Sequence, residues 1–194
     1  MNPEFESEVK ALAASKLVNR NKLDEVVFYG SSSFRLWGSL NQDFPQVNCL
    51  NIAFGGSTIQ DCIDYFDLLI ARTNPKAIFF YAGDNDIGNG ASSEEVMARF
   101  IELLDMIDAK FPNVPFTFLS IKPSPVRVEF LETIREVNGM IESYLDGIPG
   151  RTFVNIFDEM LVDGKPHKEL FEEDMLHMNS KGYKIWKEKL ESVM

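Results

Sequence analysis

Short apolar runs alternate along the chain with longer stretches whose apolar residues recur at helical spacing. The strand-like runs are Val26–Tyr29, Val47–Ala53, Ala77–Tyr81, Phe116–Ser120 and Thr152–Ile156. The helix-like stretches are Ile59–Ala71, Ser92–Lys110, Phe130–Leu145 and Ser180–Met194. Because the strand-like runs are rich in apolar residues and lack a clean alternation with polar ones, we expect helices to cover both faces of the sheet. The pattern predicts an open, doubly wound α/β sheet.

A sheet of this kind binds its ligands beyond the carboxyl ends of the strands, where the strand order reverses. The segments that follow the first four predicted strands are Gly30–Ser33, Phe54–Ser57, Gly83–Asp86 and Ile121–Ser124. Three of these four segments are rich in Gly, Ser, Asn and Asp. The same residue types form ordinary turns, so one such segment alone does not indicate a site.

Chain length indicates the number of domains, and net charge indicates which classes of partner to expect. A chain of 194 residues fits one compact domain. Its formal net charge of −11 repels phosphate backbones and anionic lipid headgroups, so we expect neither nucleic acid nor a membrane surface as a partner.

The N-terminal residues and the cysteines indicate a compartment. The first twenty residues carry Glu4, Glu6 and Glu8 and lack a basic start followed by an apolar block, so we expect no signal peptide. Cys49 and Cys62 are too few for a disulfide scaffold and lack a metal-type spacing. We therefore expect a cytoplasmic protein.

A base that works near neutral pH is most easily made from histidine, and the chain has two. His167 lies in a polar, turn-like stretch, where a solvated side chain is expected. His177 follows Asp174 by three residues, so the carboxylate can reach the imidazole and fix its tautomer, as in a hydrolytic triad. A pair that only stabilises a turn, or two ligands of a metal, are the alternatives.

Ser32 directly follows the first predicted strand and Gly30, which permits a tight turn. A hydroxyl there is exposed at the sheet edge, beside the free N–H groups of a helical turn. Acyl transfer also needs donors for an oxyanion, and the Gly56 N–H and the Asn85 amide each come just after a strand. Three adjacent serines could instead form a simple capping turn.

Four of these segments, in order and spacing, resemble the blocks of the SGNH (GDSL-type) hydrolases. Gly30-Ser31-Ser32 corresponds to the Gly-Asp-Ser block, with Ser32 at the nucleophile position, and Gly56 corresponds to the glycine of the second block. One departure is Ser31, where the family has aspartate. The change removes an acceptor that helps to hold the loops around the nucleophile.

The remaining two blocks match without a departure. Gly83-Asp84-Asn85-Asp86 matches the G-x-N-D block in full, and Asp174 with His177 matches the final D-x-x-H block ahead of a C-terminal helix. The resemblance implies a three-layer α/β/α sandwich with a five-stranded parallel sheet and flavodoxin-like topology. It also implies one domain over residues 1–194, with residues 1–25 as an N-terminal helical extension.

The implied activity is that of a serine esterase or acylhydrolase that cleaves a carboxylic ester, such as a short acyl group on a carbohydrate or lipid-like alcohol. Ser32 would attack the ester carbonyl, His177 would take its proton, and Asp174 would orient His177. The N–H groups of Ser32 and Gly56 and the amide of Asn85 would receive the oxyanion. The resemblance implies no metal and no cofactor, and it leaves the oligomeric state open.

The segment after the fourth strand carries two cations, Lys122 and Arg127. We expect both to line the pocket, where they would favour an anionic or sugar-linked substrate. A solvated loop stiffened by proline is the alternative.

Two rival functions use the same residues. A metal-dependent phosphoesterase would take Asp84, Asp86, Asp174 and His177 as ligands. A carbohydrate- or acyl-binding module would keep the fold and lose catalysis through Ser31. Inhibition by chelators would favour the first rival, and ligand binding without ester turnover would favour the second.

Overall fold

A computed structural model describes residues 3–17 and 25–194. Its central sheet contains five strands, β1 (Glu25–Gly30), β2 (Asn48–Asn51), β3 (Pro75–Tyr81), β4 (Phe116–Leu119) and β5 (Arg151–Val154). The strands pair in the order β2-β1-β3-β4-β5, and every neighbouring pair is parallel. Each strand overlaps one of the predicted runs. The predicted flavodoxin-like parallel sheet is therefore confirmed.

The helices lie on both faces of this sheet. They are α1 (Pro3–Lys16), α2 (Ser32–Arg35), α3 (Leu40–Asp43), α4 (Ile59–Asp64), α5 (Asp84–Gly88), α6 (Ser93–Lys110), α7 (Leu131–Leu145) and α8 (Ser180–Leu190). A small antiparallel pair, β6 (Leu161–Val162) and β7 (Lys165–Pro166), lies apart from the main sheet. No helix among the described residues is long and apolar enough to cross a membrane.

The two faces of the sheet have separate apolar cores because successive strand residues point to opposite faces. Val27 and Tyr29 of β1 pack with helices α1, α4, α6 and α7. Their neighbour Phe28 packs on the other face, with Trp37 and with Trp186 of α8. The result is the three-layer α/β/α sandwich that was predicted.

Helix α1 lies within the predicted N-terminal extension and packs onto the first of these cores. Val9 and Ala13 are its buried side chains. Residues 1–2 and 18–24 of that extension lie outside the described residues.

The helix predicted over Ile59–Ala71 is shorter than expected, because α4 ends at Asp64. The chain then continues in turns and a short 3-10 helix, Ile70–Arg72, before β3 begins at Pro75. The backbone leaves the helical region directly after Asp64, where Tyr65 has φ −100° and ψ 10°, although the apolar spacing continues.

A buried amide fixes the segment that leaves β4 toward the site. Asn138 of α7 accepts a hydrogen bond from the Ile121 N–H at 2.7 Å and donates to the Ile121 carbonyl at 3.0 Å. Both backbone groups are thus satisfied by one side chain.

Asn138→Ala should lower the free energy of unfolding by about 2–4 kcal/mol, because it leaves two buried backbone polar groups without a partner. Urea denaturation measures this loss. Glu142→Ala, at an exposed position on the same helix, should stay within about 0.5 kcal/mol of the wild type. Equal stability of Asn138→Ala and Glu142→Ala would contradict the assignment.

Candidate active site

The segment that carries Ser32, the predicted nucleophile, begins where β1 meets β3. Gly30 has φ +130°, and a Cβ there would lie 2.0 Å from the Tyr81 carbonyl oxygen, so only glycine fits. The Ser31 N–H donates to that same oxygen at 2.9 Å. The chain therefore turns at the sheet edge, and α2 begins at Ser32.

The second segment is the turn that carries Asp174 and His177, just ahead of α8. One carboxylate oxygen of Asp174 accepts from the backbone N–H groups of Leu176 and His177, both at 2.9 Å. Asn179 caps α8 by accepting from the Lys181 N–H at 2.9 Å. These local bonds fix the direction in which the imidazole leaves the backbone.

These two segments bring the three predicted catalytic residues together. The Nδ1 atom of His177 lies 2.6 Å from Oδ2 of Asp174, and Nε2 lies 3.2 Å from Oγ of Ser32. When Nδ1 carries the proton and donates to Asp174, Nε2 is the acceptor for the Ser32 hydroxyl. The arrangement has the order and contacts of a Ser-His-Asp triad.

Asp174 is held in its charged form. Its partial burial works to raise its pKa, but hydrogen bonds from the His177 and Leu176 N–H groups and from the His177 ring lower the pKa of Asp174 to about 2. A carboxylate that stays ionised throughout the working pH range stabilises a positive charge on the neighbouring ring.

The predicted oxyanion donors lie at the same edge. Asn85, in the first turn of α5, donates from Nδ2 to the Ser31 hydroxyl at 2.9 Å and to the Ser57 carbonyl at 3.1 Å. It thus contacts the neighbours of both other predicted donors, Ser32 and Gly56. In the described part of the chain, no protein acceptor is bonded to the backbone N–H of Ser32 or of Gly56.

Ser31 keeps an acceptor at the position where the family has aspartate. Its hydroxyl accepts a hydrogen bond from the Asn85 amide, so the loop after β1 and the loop after β3 remain linked through a neutral side chain. The change therefore removes a negative charge beside the site rather than the contact itself.

The prediction for Lys122 is corrected by its burial. Its ammonium group pairs with Asp84 at 2.7 Å and donates to the Tyr81 hydroxyl at 3.2 Å, and its side chain is 1% exposed. A cation that is desolvated and already paired cannot attract a substrate from solution.

Arg127, the other predicted pocket-lining cation, contacts the site through its guanidinium group. Its Nη2 donates to Oδ1 of Asn85 at 2.8 Å, and its Nη1 lies 3.4 Å from Asp84. Only 15% of the side chain is exposed. Burial works to raise the pKa of Asp84, and the cations Lys122 and Arg127 hold it below its usual range.

Helix α1 contributes contacts that the sequence patterns did not indicate. Glu8 pairs with Arg35 at 2.5 Å, and its carboxylate oxygens lie 3.4 Å from the Gly55 nitrogen. A Cβ on Gly56 would lie 3.7 Å from the ring of Phe5. Helix α1 therefore packs against the loop that carries one predicted oxyanion donor. The sequence signal was weak, because a glutamate on a polar helix is usually solvated.

The four ligands of the rival metal site are divided among different partners. Asp84 faces Lys122, Asp86 pairs with Arg99 at 2.8 Å, and Asp174 and His177 contact each other. Among the residues that the structure describes, no three His, Cys, Asp or Glu side chains are grouped to hold a metal ion.

Comparison with known proteins decides the family. The sequence pattern of the GDSL-like lipase/acylhydrolase family matches residues 24–185. The chain belongs to this family. Family membership makes it a hydrolase that acts on esters, as the resemblance of its motifs predicted. No curated protein has a sequence that matches the chain.

Solved structures share the fold of this GDSL-like hydrolase. A candidate platelet activating factor from Streptococcus pneumonia is 18% identical, with a TM-score of 0.86 over 98% of this chain and 92% of that one. A GDSL-like lipase from Bacteroides thetaiotaomicron is 20% identical, with a TM-score of 0.78 over 98% and 95%. A carbohydrate esterase of family 3 from Talaromyces cellulolyticus is 15% identical, with a TM-score of 0.71 over 87% and 95%.

The geometry of this GDSL-like hydrolase predicts how ester hydrolysis depends on Asp174. Asp174→Asn removes the negative charge that stabilises an imidazolium at His177 and changes the group that fixes the tautomer of the ring, so kcat for ester hydrolysis should fall by roughly 10⁴-fold.

His167→Ala is the matched control, since His167 lies beyond β7 and its N–H donates to the Met160 carbonyl. This variant should leave kcat for ester hydrolysis unchanged. An unchanged kcat in Asp174→Asn, or a large loss of kcat in His167→Ala, would mean that the base is assigned to the wrong histidine.

Proposed function

We propose that the chain is a serine esterase in which Ser32 is the nucleophile, His177 the general base and acid, and Asp174 the residue that orients His177. The observation that carries the proposal is the continuous series of contacts from Asp174 through the ring to the Ser32 hydroxyl, at 2.6 and 3.2 Å. These residues come from segments 145 positions apart, so the contact is a product of the fold rather than of local sequence.

The reaction follows from the positions of the protons. The Ser32 oxygen attacks the ester carbonyl while its proton passes to Nε2 of His177, which leaves a tetrahedral oxyanion and an imidazolium paired with Asp174. The imidazolium then protonates the leaving alcohol, and an acyl-serine ester remains. A water molecule, deprotonated by the same nitrogen, attacks that ester and releases the acid and free Ser32.

The oxyanion would be received by the N–H groups of Ser32 and Gly56 and by the Asn85 amide, which would exchange its hydrogen bond to the Ser31 hydroxyl for one to the oxyanion. The free backbone N–H groups at the start of α2 carry partial positive charge. They are already in position, so they need no rearrangement when negative charge develops on the carbonyl oxygen. In the described part of the chain, no protein acceptor takes either backbone N–H, which supports this role.

For the substrate, we propose an ester of a short acyl group with a carbohydrate or a lipid-like alcohol. Two apolar side chains are exposed beside the triad: Met175, inside the catalytic turn, is 36% exposed, and Val126 is 52% exposed. The Val126 N–H donates to the Met175 carbonyl at 3.2 Å, so the two residues are adjacent. The proposal that the alcohol is a carbohydrate is supported by the carbohydrate esterase that shares the fold.

A panel of p-nitrophenyl esters of increasing chain length, run beside acetylated sugars, tests the function and the substrate together. Turnover that is fastest for short acyl groups is expected. Binding of these compounds without turnover of any ester would favour a binding module, and turnover that a chelator abolishes would favour a metal-dependent enzyme.

Ser32→Ala should lower kcat by roughly 10⁴-fold or more, since the nucleophile and its base act as a unit. Ser33→Ala removes the same atom from the next residue, whose buried hydroxyl is not part of the contacts that join Asp174, His177 and Ser32. It should therefore retain most of the activity. Steady-state kinetics on the best ester of the panel compares the two variants. A large loss of kcat in Ser33→Ala alone would mean that Ser33, rather than Ser32, is the nucleophile.

Asn85→Ala should lower kcat by about 10²–10³-fold and change KM little, because the amide acts mainly as negative charge develops. Asn89→Ala, at the exposed end of the same helix, should leave both constants near the wild-type values. A normal kcat in Asn85→Ala would make the amide a structural turn former.

A further inference from the structure

A charged cluster lies directly behind the proposed oxyanion donor Asn85. Asp84 is buried between two cations, with Lys122 at 2.7 Å and Arg127 at 3.4 Å. One carboxylate faces two positive charges, so these three side chains carry a net positive charge. The three side chains are 1–15% exposed, so the field of this charge is weakly screened by solvent.

Arg127 connects this cluster to the site through one hydrogen bond. Its Nη2 donates to Oδ1 of Asn85 at 2.8 Å. A guanidinium group has donors only, so the amide oxygen must face Arg127 and the NH₂ group must face the opposite side. That side holds the Ser31 hydroxyl and the Ser57 carbonyl, which both accept from Nδ2. Arg127 therefore fixes which end of the amide faces the nucleophile segment.

The same bond changes the strength of the donor. A positive charge on an amide oxygen draws electron density from the nitrogen, so the N–H groups become more acidic and better donors. The Ser31 hydroxyl that accepts from this amide is neutral, so Arg127 is the charged side chain to which the Asn85 side chain is hydrogen-bonded.

The fold builds space for this contact. Gly88 lies one helical turn after Asn85, and a Cβ there would lie 2.9 Å from Cζ of Arg127. Arg127 has φ −116° and ψ 29° within a 3-10 segment, Pro125–Phe130, so its backbone departs from the helix at this residue. The preceding residue, Val126, is bonded to the catalytic turn through the Met175 carbonyl.

We propose that Arg127 is a positioning residue of the oxyanion hole, which acts on the reaction through Asn85 by orienting and polarising its amide. This inference rests on the proposed esterase function and adds to it a role for a residue that does not touch the reacting atoms. It replaces the expectation that Arg127 recruits an anionic substrate. The two roles differ in kinetics: recruitment acts on KM for charged esters, whereas positioning acts on kcat for neutral esters as well.

The test is a double-mutant cycle on a neutral p-nitrophenyl ester. Arg127→Gln in the wild-type background should lower kcat by about 10–10²-fold with KM nearly unchanged. This loss is smaller than the loss of kcat expected when an oxyanion donor is removed. In the Asn85→Ala background, the same change should lower kcat by no more than about twofold, because residues that act through each other are not additive.

Three further variants separate positioning from a general loss of structure. Arg127→Lys keeps the charge and should recover part of the lost kcat. Gly88→Ala keeps Arg127 and displaces its guanidinium group, so it should lower kcat in the same direction. Arg135→Gln, an exposed arginine on α7, should leave kcat at the wild-type value.

Each outcome decides the inference. Additive losses in the Asn85→Ala background would overturn it, as would a loss confined to KM with an anionic ester. A wild-type kcat in Arg127→Gln, with Ser32→Ala and Asn85→Ala both impaired, would overturn the inference and leave the esterase function intact. Full activity in Ser32→Ala would instead contradict the proposed function itself.

Discussion

The close contact between Gly30 and Tyr81 is the constraint on which the site depends. No side chain fits at residue 30, since a Cβ would meet the Tyr81 carbonyl oxygen at 2.0 Å. The Tyr81 carbonyl accepts the Ser31 N–H, and the Gly30 carbonyl accepts the N–H of Phe54 and the hydroxyl of Ser57. The ends of β1, β2 and β3 are thereby joined at one point, so the segments that carry Ser32, Gly56 and Asn85 leave the sheet together.

Buried charge then holds the loops that leave this point. Burial raises the pKa of Asp86, while the Ile59 N–H and Arg99 act in the opposite direction. The Ile59 N–H donates to the Asp86 carboxylate at 2.9 Å, and this bond ties the start of α4 to α5. Asp84, one position before Asn85, is paired with two cations. Removing one partner of such a pair leaves an uncompensated charge, which makes the arrangement of these loops hard to alter.

The sheet and the contacts among Ser32, His177 and Asp174 could be predicted because their signals are local. Apolar runs mark the strands, Gly30 and Ser32 follow the first of them, and His177 follows Asp174 by three positions. The environment of Lys122 could not be predicted, since its partner Asp84 is 38 residues away and its burial depends on packing. The contact of Arg127 with Asn85 spans 42 residues and has no motif. The contact of helix α1 with the loop that carries Gly55 and Gly56 could not be predicted either, because an acidic, weakly amphipathic segment has the pattern of a solvated helix.

The central claim is that Ser32 is activated by His177 across the sheet edge. Labelling with a fluorophosphonate, followed by peptide mass spectrometry, tests it most directly, because the reagent forms a covalent bond with an activated serine. The account predicts one adduct on the peptide that contains Ser31 to Ser33, assigned by fragmentation to Ser32, and strongly reduced labelling in His177→Ala. An adduct on Ser31 or Ser33, or labelling that His177→Ala leaves unchanged, would contradict the account.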